Sequence, residues 1–129
     1  MVAPSSDIDE LQHVSNIAYV RWIQEVAKAH SAAVGLDHAG YVRLGAVFVV
    51  RRHDIEYLAP AYAGDAIRLT TWIAKWGAAT SERRTRITRE GDGRELVRAA
   101  TVWAFISMET LRPKRIPPEL CEAFARLPG

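Results

Sequence analysis

Three side chains that can act on a carbonyl group stand close together near the start of the chain. They are the carboxylate of Asp9, the imidazole of His13 and the carboxamide of Asn16. A run of apolar residues with helical spacing follows at once and predicts a helix that begins near Asn16. A carboxylate and the free N–H groups of a helix start that it faces can together promote attack on a carbonyl group. The carboxylate attacks or activates water, and the N–H groups hold the negative oxygen that results.

The size and composition of the chain are those of an ordinary globular domain. It has 129 residues, 49% hydrophobic and 25% charged, so we expect one domain over residues 1–129 with a real core. The net charge of +2 gives no indication of a nucleic-acid partner. A single cysteine, Cys121, cannot form an intrachain disulfide, and no window holds the ~20 apolar residues of a membrane helix. Residues 1–6 do not read as a signal peptide. We therefore expect a cytoplasmic protein without a membrane partner.

Hydrophobic periodicity predicts one long helix followed by strands. Apolar residues three and four apart mark a helix over residues 16–34, with Ser15 or Asn16 as its cap and Gly35 as its stop. Alternating and β-branched residues then predict strands, and a prolyl segment near the end predicts a short helix. The strands are expected at 46–58, 65–76, 80–90 and 95–107, and the short helix at 118–127.

The last predicted strand indicates how these elements pack. Residues 95–107 carry apolar side chains on both faces, as a central strand does. Only the first helix is long enough to cover the sheet. The economical arrangement is an α+β fold in which a curved antiparallel sheet wraps around that helix.

Three motifs stand in order along the chain. They are Asp7-x-Asp9-x-x-x-His13-Val14-x-Asn16-x-x-Tyr19-x-x-Trp22, Ile55-Glu56-Tyr57-x-x-Pro60-x-x-x-Gly64-Asp65 and Leu111-Arg112-Pro113-x-x-Ile116-Pro117. Together they resemble the hot-dog-fold thioesterases, in the branch that includes 4-hydroxybenzoyl-CoA thioesterase, and Gln12-His13-Val14 also looks like the plant acyl-ACP thioesterases. The sequence departs from the family at the opening strand, which is short here or begins upstream. It also departs at Gln12 and Ser15, where Gly and Asn are usual.

The resemblance implies a hot-dog fold and hydrolysis of an acyl thioester without a cofactor. It makes Asp9 the general base or the nucleophile, and the backbone N–H of Asn16 the oxyanion donor. His13 either orients Asp9, contacts the substrate carbonyl or only shapes the loop. The acyl chain would lie near Tyr19 and Trp22, between the helix and the sheet.

Other polar residues have plainer interpretations. Asp7 is either a second carboxylate candidate or a solvated turn residue. Glu25 is expected to be an exposed helical ion-pair residue, although some hot-dog branches use a helix glutamate as base. His30 falls on the apolar stripe of the helix and is expected in the core. His38 and His53 lack a metal-ligand pattern, so no metal site is predicted.

Arginines crowd one predicted strand. Alternation places Arg84 and Arg86 on one face and Arg83 and Arg89 on the other. They either bind the phosphates of the substrate or pair with Glu82, Glu90 and Glu95.

The resemblance also implies partners. The substrate is an acyl-CoA or, alternatively, an acyl carrier protein of fatty-acid or polyketide synthesis. The chain is expected to form a homodimer or a tetramer that shares its active sites between subunits. The remaining alternative is a non-catalytic acyl-CoA-binding module.

Overall fold

The computed structural model describes residues 1–126 and contains one long helix, two short helices and four strands. A 3-10 turn at Ser5–Asp7 leads into the first helix. The elements are α1 (Asn16–Ala32), α2 (His38–Leu44), β1 (Ala46–Tyr57), β2 (Ile67–Trp76), β3 (Thr80–Arg89), β4 (Glu95–Ser107) and α3 (Pro118–Ala125).

The predicted long helix and the four strands are confirmed, with ends that differ by at most two residues. Helix α2 was not predicted. It is only seven residues long, and the glycine inside it weakens the periodic signal. Its ends are nevertheless marked, because the Asp37 side chain accepts from the N–H of Gly40 at 2.9 Å and Gly45 stops it at a φ of 67°. The end of the predicted C-terminal helix, at residue 127, lies outside the described residues.

The four strands form one antiparallel sheet in the order β1-β4-β3-β2. The prediction that residues 95–107 form a central strand is confirmed. Trp22 and Ile23 of α1 pack on the sheet against Ile67, Ile87 and Val97. Each of these side chains is at most 1% exposed, and burial of one such side chain contributes about 1.5–3 kcal/mol to the free energy of folding. No helix among residues 1–126 is long and apolar enough to cross a membrane.

One residue of β1 interrupts its pairing with β4. Val50 pairs with Trp103 and Arg52 with Val102, which leaves Arg51 unpaired as a β-bulge. The bulge shifts the alternation of side chains along the strand.

The first residues of the chain pair with the start of β2. The N–H of Ala3 donates to the carbonyl of Asp65 at 2.9 Å, and the N–H of Ile67 donates to the carbonyl of Met1 at 2.7 Å. This short pairing leads directly into the turn that carries Asp9.

The Asp7 carboxylate ties the N-terminal segment to the first turns of α1. It is 6% exposed and accepts hydrogen bonds from the Arg21 guanidinium and, at 3.0 Å, from the Trp22 indole N–H. The bond from Arg21 holds the pKa of the Asp7 carboxyl below its ordinary value of 3.8. The expectation of a solvated turn residue was therefore wrong. Asp7 is a buried anchor, and its Oδ2 accepts both of these hydrogen bonds.

We predict that Asp7→Asn destabilises the fold by about 1–2 kcal/mol at neutral pH, because a hydrogen-bonded charge pair is lost. Because the folded pKa is depressed, Asp7 stabilises the native state above the ordinary carboxyl range. That contribution disappears as pH falls through the folded value. Urea unfolding of the native protein and the variant should therefore diverge at neutral pH and converge as the pH falls below 3.8.

The control is Glu25→Gln, which removes the other acid near the same arginine. Glu25 lies 3.3 Å from Arg21 and its side chain is 60% exposed, so its loss should change stability by less than about 0.5 kcal/mol. Equal effects of the two substitutions would contradict the anchoring role of Asp7.

Candidate functional site

A tight turn between the N-terminal segment and α1 brings Asp9 and His13 together. The N–H of Asp9 donates to the carbonyl of His13 at 2.9 Å, and the N–H of Gln12 donates to the carbonyl of Asp9 at 3.1 Å. Ile8 and Val14 form an isolated antiparallel bridge beside them. Gln12 closes the turn in the left-handed region, at a φ of 68°.

The Asp9 carboxylate is held in place and open to solvent. Its Oδ1 accepts from the N–H of Leu11 at 2.9 Å. Its Oδ2 lies 3.6 Å from Nδ1 of His13, and the two side chains are 29% and 32% exposed. That separation is too long for a hydrogen bond. His13 is therefore a close neighbour of the carboxylate, and Oδ2 is free to accept from a water molecule.

The N-terminus of α1 presents two free donors. Ser15 is the cap, and its Oγ accepts from the N–H of Ala18 at 3.1 Å. Within residues 1–126, the N–H groups of Asn16 and Ile17 have no hydrogen-bond acceptor. Both carry the partial positive charge of the helix start. They can receive an oxyanion.

A cleft of about 230 Å³ lies beside this helix start. One wall is the segment from His13 to Asn16, and the other is the end of β1 with the residues that follow it. Asp9 does not line the cleft, but its neighbour His13 does. The lining residues are His13, Val14, Asn16, Tyr19, Tyr57, Leu58, Ala59 and Pro60.

Two backbone contacts at Ala61 fix the far wall. The N–H of Val14 donates to the carbonyl of Ala61 at 2.8 Å, and the N–H of Ala61 donates to the Tyr19 hydroxyl at 3.1 Å. Tyr19 is 3% exposed, and this burial raises the pKa of its phenol. Tyr19 therefore forms the floor of the cleft and holds the wall in position.

Of the two aromatic residues expected near substrate, only Tyr19 lines the cleft. Trp22 is 1% exposed, packs edge-on against Tyr19 and donates to Asp7. Trp22 therefore has a structural role, because its N–H bonds to Asp7 and its ring is packed in the core. Sequence reasoning missed Tyr57, which lines the cleft and lies 5.8 Å from the Tyr19 ring.

The three arginines expected to bind substrate do not form one group. Arg84 and Arg86 are exposed, whereas Arg83 is buried on the opposite face of β3. Arg84 pairs with Glu82 at 2.9 Å, which was one of the two expected outcomes, and Arg86 lies over the Trp72 ring. None of the three arginines lines the cleft.

Two comparisons with known sequences both find thioesterases. Residues 3–124 match the model of the thioesterase-like superfamily. An acyl-[acyl-carrier-protein] hydrolase from Cuphea viscosissima is 31% identical over 103 residues, and a palmitoyl-acyl carrier protein thioesterase from Cuphea hookeriana is 29% identical over 104. The chain spans about a quarter of the length of these relatives.

Solved structures match the fold along almost the whole chain. A 1,4-dihydroxy-2-naphthoyl-CoA thioesterase from Synechocystis superposes with a TM-score of 0.87 at 18% identity, over 98% of this chain and 93% of that one. A Staphylococcus aureus protein solved in complex with CoA gives 0.90 at 19% identity, over 97% and 78%. The expected hot-dog fold is confirmed.

We predict that Gln12→Gly stabilises the protein by about 0.5–1 kcal/mol. A side chain in the left-handed region costs roughly 1–2 kcal/mol, and the greater freedom of glycine in the unfolded chain offsets only part of that. Thermal and urea unfolding measure the change. Gln12→Ala, which keeps a Cβ at the same φ, is the control and should give no gain. A loss of stability in the glycine variant would contradict the strained geometry of the turn.

Proposed function

Because the chain belongs to the thioesterase-like superfamily, we propose that it hydrolyses an acyl thioester at the start of α1. The proposal rests on the closeness of a carboxylate and free backbone donors. The open carboxylate of Asp9 precedes segment 13–15, and the free N–H groups of Asn16 and Ile17 follow it. His13 lies next to the Asp9 carboxylate and lines the same cleft as Asn16.

In the proposed reaction, the thioester carbonyl oxygen accepts from the N–H of Asn16 or Ile17. In one route, Oδ2 of Asp9 takes a proton from a water molecule as the water oxygen bonds to the carbonyl carbon. The tetrahedral oxyanion then collapses, the C–S bond breaks and the thiolate leaves. The helix start stabilises the negative charge because its donors are fixed before the reaction begins.

In a second route, the Asp9 carboxylate attacks the carbonyl carbon directly. The C–S bond breaks to give a mixed anhydride, which water then hydrolyses. Both routes require the same carboxylate and the same donors. His13 serves either route by keeping its ring against Asp9 at the mouth of the cleft.

We propose an acyl-CoA as the substrate, with an acyl carrier protein as the second candidate. The likeness to a thioesterase that acts on a naphthoyl-CoA supports the first. The sequence likeness to acyl-carrier-protein hydrolases supports the second. Arg86, on the exposed face of β3, is the proposed phosphate contact for either carrier, since Arg84 on the same face already pairs with Glu82.

We also propose that the working unit is a homodimer or a tetramer formed through β1. This strand is twelve residues long and lies at an edge of the sheet, where unpaired backbone groups favour association. Large apolar side chains are exposed around the cleft, including Ile17 at 81%, Leu11 at 70% and Tyr57 at 45%. A second subunit would bury this surface and close the open side of the cleft.

We predict that Asp9→Asn lowers kcat/KM for acyl-CoA hydrolysis by about 10²- to 10⁴-fold, because an amide can neither accept the proton nor attack. The asparagine oxygen can still accept from Leu11, so stability should change by less than about 0.5 kcal/mol. Free thiol released from acyl-CoA esters measures turnover, and urea unfolding measures stability.

The matched control is Glu10→Gln, an exposed acid on the same turn, which should keep full activity. Full hydrolysis by Asp9→Asn would remove Asp9 from the mechanism. Tight acyl-CoA binding without turnover by the native protein would instead favour a binding module. Assays with acyl carrier protein as the donor decide between the two carriers.

Light scattering should give at least twice the chain mass of 14.4 kDa. Because the cleft is open in one chain, specific activity should also fall on dilution below the dissociation constant of the dimer. A monomer that retains full specific activity at every concentration would contradict the shared site.

A further inference from the structure

A second cavity, of about 480 Å³, lies between the C-terminal half of α1, helix α2 and the inner face of the sheet. Its wall on α1 begins at Ala27, about 16 Å along the helix from Asn16. Trp22 and Ile23, which are at most 1% exposed, fill the space between the two ends of the helix. Within one chain the cavity is therefore separate from the cleft near Asp9.

A buried cation lines this cavity. Arg83 is 4% exposed, and its Nη1 donates to Nδ1 of His30 at 2.9 Å and to Oγ1 of Thr71 at 3.0 Å. Both acceptors are neutral. Within residues 1–126 no carboxylate oxygen lies within 4.0 Å of the guanidinium. Burying a charge without an opposite charge is costly, and such groups in proteins are normally paired.

The neighbours of Arg83 do not neutralise it. His30 accepts through Nδ1, so its ring is neutral, and burial together with the Arg83 charge lowers the pKa of His30. Burial lowers the pKa of Arg83 to about 10, so the guanidinium is still charged at neutral pH. The cavity therefore holds a net positive charge.

The rest of the wall is mostly apolar and aromatic. The Phe124 ring lies 5.9 Å from the guanidinium carbon, and the other apolar walls are Leu36, Phe48, Ile73 and Trp103. Exposed Lys28 and His38 stand at the rim with Asp37, whose Oδ1 already accepts from the N–H of Gly40.

We propose that this cavity binds an organic carboxylate with an aliphatic or aromatic body, and that Arg83 is its counter-ion. The planar guanidinium presents N–H groups in the fork that a carboxylate accepts in bidentate fashion. The apolar walls would take the body of the ligand. The ligand supplies the negative charge that residues 1–126 do not place next to Arg83.

The carboxylate has two sources, a free organic acid or the far end of an acyl group that carries a second carboxylate. The buried Trp22 and Ile23 block a path from the cleft of the same chain, which favours the free acid. The proposal does not depend on the proposed hydrolysis, because binding is measured without turnover.

Titration calorimetry with decanoate and 2-naphthoate tests the site, with decanamide and 2-naphthamide as uncharged probes of similar shape. The carboxylates should bind at least about tenfold more tightly than the amides, as expected when a charge-assisted hydrogen-bond pair is lost. Equal affinity for acids and amides, or no binding of either acid, would overturn the proposal.

Three variants locate the binding. Arg83→Met should abolish the preference for acids and leave the protein at least as stable as the native chain, because an unpaired buried charge is removed. Ser31→Leu keeps the charge and fills the cavity, so it should abolish binding even if the first variant does not fold. Arg94→Met, in the exposed turn before β4, should bind as the native protein does. Unchanged binding in Ser31→Leu would place the ligand elsewhere and overturn the proposal.

The two sources are separated by comparing decanedioyl-CoA with decanoyl-CoA as substrates. A preference for the dicarboxylic ester that disappears in Arg83→Met identifies an acyl group as the source. Binding of free decanoate without that preference identifies a free acid. Either result supports the carboxylate site beside Arg83. If the protein proves to have no hydrolase activity at Asp9, calorimetry still measures binding of the free acids.

Discussion

The candidate site depends on one buried group, the Asp7 carboxylate, which accepts hydrogen bonds from Arg21 and Trp22. Trp22 belongs to the core, so the contact fixes the residues before α1 to the packed face of the helix. The carbonyl of Asp7 also accepts from the N–H of Ser15 at 2.9 Å, which fixes the cap. The turn that carries Asp9 spans the chain between these two points. It can only lie beside the N-terminus of the helix.

Hydrophobic patterning could not predict that Asp7 is buried while Asp9 stays open to solvent. Both stand in the same polar stretch, and periodicity does not show which carboxylate turns inward. The partner of Arg21 was equally hard to predict. Arg21 pairs with exposed Glu25, as expected, and also with buried Asp7. The long helix and the central strand were predictable because hydrophobic spacing alone determines them. Whether a charged side chain is buried depends on which residues from distant parts of the chain pack over it.

The same limit explains Arg83. Alternation correctly assigns it to the face opposite Arg84, but nothing local shows that α1 and α3 cover that face. Thr71 and His30, which accept its hydrogen bonds, are 12 and 53 residues away along the chain. The pairing of exposed arginines with nearby acids, by contrast, is a short-range property, and Arg84 with Glu82 follows it.

The unpaired Arg51 decides which side chains reach the interior from the far half of β1. Before it, Ala46 and Phe48 face the interior, and both have even numbers. Beyond it, His53, Ile55 and Tyr57 do so, and all have odd numbers. The bulge thus changes the inward-facing residues of β1 from even to odd numbers. If Arg51 instead paired with Val102 and the alternation ran on without a bulge, Glu56 would replace Tyr57 at the cleft and charged groups would point into the core. Deletion of Arg51 alone would remove the bulge and leave both faces as they are, because Arg52 already pairs with the residue next to Trp103, whereas deletion of a paired residue on either side would exchange the two faces.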